Sequence, residues 1–234
     1  MNEAIQREEI KNTWKFFPVW QPDPVHIRAI SGKGVPNPLP TKNITFTEAA
    51  YPSIADRKQA FEDNALQLNE QGYNIYTCFN RIRADFAGDE HNGLAVKDRD
   101  IIDRRYILID FDRDQTSQPA TDDEVDAVFA AADRLECDLF FNKGHEPITI
   151  FSGNGAHIYL PVDLPNDEGS KALCQQILHG FASKYDTETA KVDTGVYNAG
   201  RITKVPGTIA RKGVEVPDST GIHERYWRMV AIVE

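Results

Sequence analysis

The segment Tyr106-Ile107-Leu108-Ile109-Asp110-Phe111-Asp112 constrains the fold more than any other in the chain. Side chains alternate faces along a strand. Ile107, Ile109 and Phe111 then face one side and can bury under helices, while Leu108, Asp110 and Asp112 face the other. The two carboxylates share a face, with Cα atoms about 7 Å apart. At the end of an apolar strand they repel each other. A divalent cation removes that cost, and a pair at this spacing can bridge two ions held roughly 3.5–4 Å apart. The plain alternative is two solvated acids at a strand terminus, and so short a string does not separate the two readings.

Elements on either side follow from periodicity. Residues 2 to about 14 read as a helix with Trp14, Phe16 and Phe17 at its end, broken by Pro18, Pro22 and Pro24. Val25 to Ile30 alternates as a strand, 31–42 is a loop rich in Gly and Pro, and a short strand follows near Ile44 to Phe46. Ile54, Phe61, Ala65 and Leu68 mark a helix that Gly72 ends. Tyr73 to Phe79 is a strand and 80–99 a long polar loop. After the Arg105–Asp112 strand, Val125, Val128, Phe129, Ala132 and Leu135 mark a helix, with Thr121 and Glu124 as its capping box. Pro147 to Phe151 and His157 to Val162 are strands, about 167–186 is a helix, and short strands lie near 201–205, 214–216 and 227–233.

The predicted fold class is therefore α/β (α+β). From residue 105 the order is strand, helix, strand, strand, helix, strand, the split βαβ arrangement. One domain spans 1–234, with an N-terminal α/β lobe of about 1–100 packed on a split βαβ lobe of about 101–234.

Charge and cysteine usage limit the function classes. The formal net charge is −10, which argues against a basic coat for nucleic acid but permits a local basic groove. From Arg201 to Glu234 six Lys/Arg face four acids, so this segment nets +2. No apolar run approaches the roughly 20 residues that cross a bilayer, and the N-terminus is no signal peptide. An intracellular, cytoplasmic protein without a membrane partner is expected. Cys78, Cys137 and Cys174 are too scattered for a zinc site or a disulfide framework, so buried or half-buried thiols and no zinc are expected.

Two further segments carry candidate chemistry. In Phe151-Ser152-Gly153-Asn154-Gly155-Ala156-His157, Asn-Gly signals a tight hairpin. Alternation turns His157 away from Ile158, Leu160 and Val162. Glycine N–H groups, a serine hydroxyl and a histidine suit phosphate binding, although an ordinary surface hairpin reads the same way. In the 192–208 segment, Asp193 could complete a metal set, and Arg201 and Lys204 could hold a triphosphate. In a regular strand those two cations face opposite sides, so a bulge or a turn must bring them together. A solvated basic strand is the alternative.

Together these segments resemble the archaeo-eukaryotic primase superfamily, above all the primase-polymerases of phages and plasmids. The matching motifs occur in order: Ile107-Leu108-Ile109-Asp110-Phe111-Asp112, then Ser152 to His157, then Lys191-Val192-Asp193. The Arg201 to Thr208 run and, loosely, the Val25-His26-Ile27-Arg28 strand add to the match. The resemblance implies an active site between an α/β lobe and a lobe like an RNA-recognition motif. It implies Asp110, Asp112 and Asp193 as catalytic ligands of two Mg²⁺ or Mn²⁺ ions. Ser152, Gly153, Asn154 and His157 would contact the nucleotide, with Arg201 and Lys204 as further phosphate contacts. It implies template-dependent nucleotidyl transfer by a DNA primase or polymerase acting in replication of a mobile element. The implied partners are single-stranded DNA, NTP or dNTP, and a replicative helicase, fused or recruited.

Other readings stay open. A haloacid-dehalogenase-like phosphatase also uses Asp-x-Asp after an apolar strand, but wants Thr or Val where this chain has Asp114. A rolling-circle nickase needs a second histidine where Tyr159 stands. A non-catalytic module like an RNA-recognition motif would show exposed aromatics for base stacking, whereas this strand offers Asp110 and Asp112.

Overall fold

The computed structural model describes residues 2–17, 19–86, 93–113, 117–144, 146–220 and 223–233. Residues 87–92 of the predicted 80–99 loop, and Asp114, lie outside them. Two antiparallel sheets organise the mixed α/β fold. The first begins with helix α1 (Glu3–Phe16), strands β1 (Val25–Ser31) and β2 (Lys42–Phe46), helix α2 (Ile54–Glu70) and strand β3 (Tyr73–Cys78). A 3₁₀ turn, Asp98–Asp100, leads to β4 (Asp103–Arg113), α3 (Asp122–Lys143), β5 (Ile148–Phe151), β6 (Ala156–Pro165), α4 (Glu168–Tyr185) and β7 (Ala190–Val192). Short strands end the chain: β8 (Ile202–Lys204), β9 (Ile209–Ala210), β10 (Val216–Pro217), β11 (His223–Arg225), β12 (Arg228–Met229) and β13 (Ala231–Val233).

The second sheet has the order β13-β5-β6-β4-β7, with β4 paired on both edges. Its closing strand is the three-residue β7, which is too short for periodicity to reveal. The predicted strand at 201–205 instead becomes β8 and pairs with β3 in the first sheet, whose order is β2-β1-β3-β8. A segment late in the sequence thus ties the two sheets together.

Alternation along β4 decides what each face buries. Ile107, Ile109 and Phe111 are buried in a core with Val128, Ala132 and Leu135 of α3 and Leu178 of α4. Leu108 is also buried. On its face Tyr159 meets Phe17 at 4.9 Å and Phe79 at 5.4 Å between ring centroids. Aromatic side chains of the first lobe therefore cover this face. A separate core of Ile10, Ile27, Phe46, Phe61, Ala65 and Ile75 holds α1 and α2 on the first sheet.

Helix α3 starts as its sequence requires. Thr121 and Glu124 form the capping box. Glu124 also pairs with the buried Arg113, so the end of β4 is fastened to the start of α3. All three cysteines are free. Cys137 is exposed rather than buried, because it falls on the outward side of α3. Among the described residues, no helix is long and apolar enough to cross a membrane.

The glycines of the β5–β6 turn are there for space. A Cβ on Gly155 would lie 2.3 Å from the Phe111 carbonyl oxygen. One on Gly153, whose φ is +86°, would lie 2.5 Å from Ala210 Cβ. Gly155→Ala should therefore force β4 and the turn apart and cost about 1–3 kcal/mol in urea unfolding; a cost near zero would contradict the close approach. A second expectation concerns pH. Burial pushes the His26 imidazole down from 6.5 to about 4. The unfolded chain takes up that proton first, so this contribution to stability is complete above pH 6.5 and declines as pH falls toward 4. His26→Gln should shrink the drop in urea midpoint between about pH 7 and pH 5, and an unchanged drop would rule the group out.

Candidate active site

Three adjacent strands bring the predicted residues into one row. Asp110 on β4 is directly opposite His157 on β6. On the other edge the Asp193 N–H donates to the Asp110 carbonyl oxygen at 2.8 Å, just past the end of β7. Asp112 follows two residues along β4, on the same face as Asp110. Residues separated by up to 83 positions thus become lateral neighbours through strand pairing alone.

Each acid has a distinct environment. Burial pushes the Asp110 carboxyl up to about 7. Asp112 and Asp193 push it the same way by like charge, and Lys204 and Arg201 oppose them. Asp112 lies 3.4 Å from Lys212 Nζ, and its Oδ1 accepts from the Arg113 N–H at 2.9 Å. Asp193 Oδ1 accepts from the Gly195 N–H at 2.8 Å, and its Oδ2 lies 3.6 Å from Arg201.

His157 is buried, and its Nε2 lies 3.5 Å from Asp110 Oδ1. Burial, reinforced by Lys204 and Arg201, pushes its imidazole down to about 3. The ring is thus neutral near pH 7, and its contact with Asp110 is a polar one rather than an ion pair. Its Nδ1 side faces Tyr159 Oη at 3.2 Å and Thr203 Oγ1 at 3.3 Å. Tyr159 and Thr203 are themselves hydrogen-bonded, across the junction of the two sheets. They fix the ring's orientation, a role the sequence reading did not give them. The parity that aligns Tyr159 with His157 was its only sequence signal.

The cations approach from the second half of the chain. Lys204 Nζ donates to the Ser152 carbonyl oxygen at 2.7 Å, and burial pushes its ammonium down while Asp110 and Asp112 push it up. Arg201 lies just before β8, outside the regular strand. The parity conflict between Arg201 and Lys204 is resolved there, and both act on Asp110. Lys212 also joins the site, from 100 residues beyond Asp112. Nothing local in the sequence marks that contact.

The β5–β6 turn frames the site from one end. Ser152 is buried, and its Oγ accepts from the Gly155 N–H at 3.2 Å. Asn154 is also buried, its Oδ1 accepting from the Ala120 N–H at 2.9 Å. Gly153 packs against Ala210. Ser152 and Asn154 thus hold the turn in shape, with the Ser152 carbonyl turned to Lys204.

The donor set Asp110, Asp112 and Asp193 suits a hard divalent cation, since all its atoms are carboxylate oxygens. The like-charge crowding at Asp110 is what such a cation would relieve. Among the described residues, no group of three or more His, Cys, Asp or Glu side chains forms a metal cluster as it stands. Asp193 is turned instead to Gly195 and Arg201.

No family model and no curated protein sequence matches the chain. Among solved structures it is similar to the cyanophage S-2L primase-polymerase (PrimPol) AEP domain, at TM-score 0.49 and 14% identity over 97% of this chain and 89% of that one. It is also similar to the polymerase domain of Mycobacterium tuberculosis ligase D in complex with DNA, at TM-score 0.48 and 14% identity over 95% of this chain and 80% of that one.

Proposed function

We propose that this protein is a metal-dependent nucleotidyltransferase, a primase-polymerase that extends a strand on a single-stranded DNA template. One observation carries the reading: the row Asp193–Asp110–His157, with Asp112 beside it and Lys204 and Arg201 over it. Three carboxylates crowded in a partly buried place are costly. Their arrangement beside the half-buried Lys204 and Arg201 supports a site that gathers divalent cations and phosphates.

The sheet order β5-β6-β4-β7 supports taking the second sheet as a lobe like an RNA-recognition motif, with the first sheet as its α/β partner. A plain nucleic-acid-binding module would leave that face open for base stacking. Here Tyr159, Phe17 and Phe79 fill it, and the polar end at Asp110 is what remains accessible.

The chemistry is in-line displacement at the α-phosphorus of the nucleotide, with pyrophosphate leaving. Asp110, Asp112 and Asp193 would hold Mg²⁺ or Mn²⁺. A bound pair of such ions lowers the pKa of the attacking 3′-hydroxyl and neutralises charge on the leaving group. Lys204, at the Ser152 carbonyl, is placed to shift its point charge onto a phosphate oxygen. Arg201 releases Asp193 as it takes up a phosphate, exchanging one anionic partner for another. His157, neutral and held by Tyr159 and Thr203, offers a hydrogen bond to the triphosphate without adding charge. Ser152, Gly153 and Asn154 keep the turn within reach of the same phosphates. Positioning and electrostatics supply most of the rate.

Primer extension on single-stranded DNA, with NTPs and dNTPs tested separately under Mg²⁺ and Mn²⁺, tests the proposal. Asp110→Asn and Asp112→Asn should each lower synthesis by at least about 10²-fold with the unfolding midpoint retained. Full synthesis by Asp110→Asn would end the proposal. His157→Ala should raise the KM for nucleotide and leave the oligonucleotide Kd unchanged. The reverse pattern would assign His157 to the template instead.

A further inference from the structure

A cleft of about 580 Å³ adjoins the acids, lined by Arg28, Lys97, Arg99 and Arg201 with Asp98 as its only acid among the described residues. Asp98 is already engaged. Its Oδ1 accepts from the Gly200 N–H at 2.9 Å and lies 3.3 Å from Asn198 Nδ2. That clamp fixes the 3₁₀ turn against the loop before β8. Gly200 permits the approach, since a Cβ there would lie 2.8 Å from the Lys97 carbonyl carbon. The cations themselves are little compensated. Arg28 Nε is buried without a hydrogen-bond partner, and among the described residues neither Arg28 nor Lys97 has an ion pair. Arg99 reaches only Asp100, at 3.9 Å, with its side chain 79% exposed.

The cleft leads into the acid row. Arg28, Tyr76 and Lys204 are register partners across β1, β3 and β8. Tyr76 lies close enough to Asp110 for that carboxylate to help raise its hydroxyl pKa, after burial. Arg201 is shared, lining the cleft and pairing with Asp193.

We infer that this cleft binds the backbone phosphates of the single-stranded nucleic acid and delivers the strand to Asp110. The choice of a strand rests on the nucleotidyl-transfer reading above, but the spacing of the charges supports it independently. The four cations come from three separated segments rather than from a glycine-rich nest or a helix N-terminus, the devices that hold one compact phosphate group. Dispersed cations suit a run of spaced phosphates. With no aromatic side chain among the described residues of the lining, these residues offer no stacking platform, so their contribution should be independent of sequence.

The test is fluorescence anisotropy with labelled oligo-dT and oligo-dA in EDTA without nucleotide, repeated over a salt series. Lys97→Gln and Arg99→Gln change exposed residues and leave the fold intact; Arg28→Gln is read alongside an unfolding curve. Each loss of a phosphate contact should weaken both oligonucleotides alike and reduce the salt slope by about 0.7. Wild-type affinity and slope in a Lys97→Gln, Arg99→Gln double variant would overturn the inference. So would loss of NTP affinity with strand binding intact. Strand binding in EDTA is read without synthesis, so its failure is separate from a failure of the Asp110 and Asp112 variants to lose activity.

Discussion

Pairing on both edges of β4 is the constraint from which the rest of the site follows. β4 is the strand next to the sheet edge, with β6 on one side and β7 on the other. Antiparallel register places His157 across from Asp110 on the first side and carries Asp193 to it on the second. A one-residue slip in either ladder would turn these side chains to the opposite face. The buried alternation of Ile107, Ile109 and Phe111 against α3 and α4 opposes such a slip. The apolar face of β4 thus sets the geometry of its polar face.

That arrangement has an electrostatic cost, and the first sheet helps offset it. Asp110 sits where burial and two neighbouring acids all disfavour its charge. Lys204 and Arg201, which favour it, arrive on β8 and the loop before it, and β8 belongs to the other sheet. The Tyr159–Thr203 hydrogen bond crosses at the same place. Docking of the two sheets and charge compensation at the acids are therefore one event. Separating the sheets would withdraw the cations and leave the carboxylates to repel each other.

Much of this was legible in the residues. The face of β4 that bears the acids, the capping box at Thr121 and the outward turn of His157 all follow from periodicity, and each concerns neighbours within one or two elements. What escaped was set at long range. β7 has three residues and no pattern of its own, so the strand that brings Asp193 to Asp110 was invisible as a strand. The destination of β8 depends on which sheet has a free edge, and the strand's own composition does not record that. Ser152 and Asn154 look like phosphate ligands in sequence because polar residues beside glycines suit both a binding loop and a self-bonded turn. Only the partners, Gly155 and Ala120, reveal that the acceptor oxygens of both side chains serve the turn itself.

The charge distribution gives the acidic character of the chain a physical sense. A net charge of −10 repels a polyanion from most of the surface. Against that background Arg28, Lys97, Arg99 and Arg201 form one local attraction, and it opens beside the carboxylates rather than away from them. A strand held there meets the acids only where Arg201, Lys204 and Lys212 already balance them. On the proposed reading, acidic surface and basic cleft act together: the first would suppress binding elsewhere, and the second would set where a phosphate chain approaches the row at Asp110.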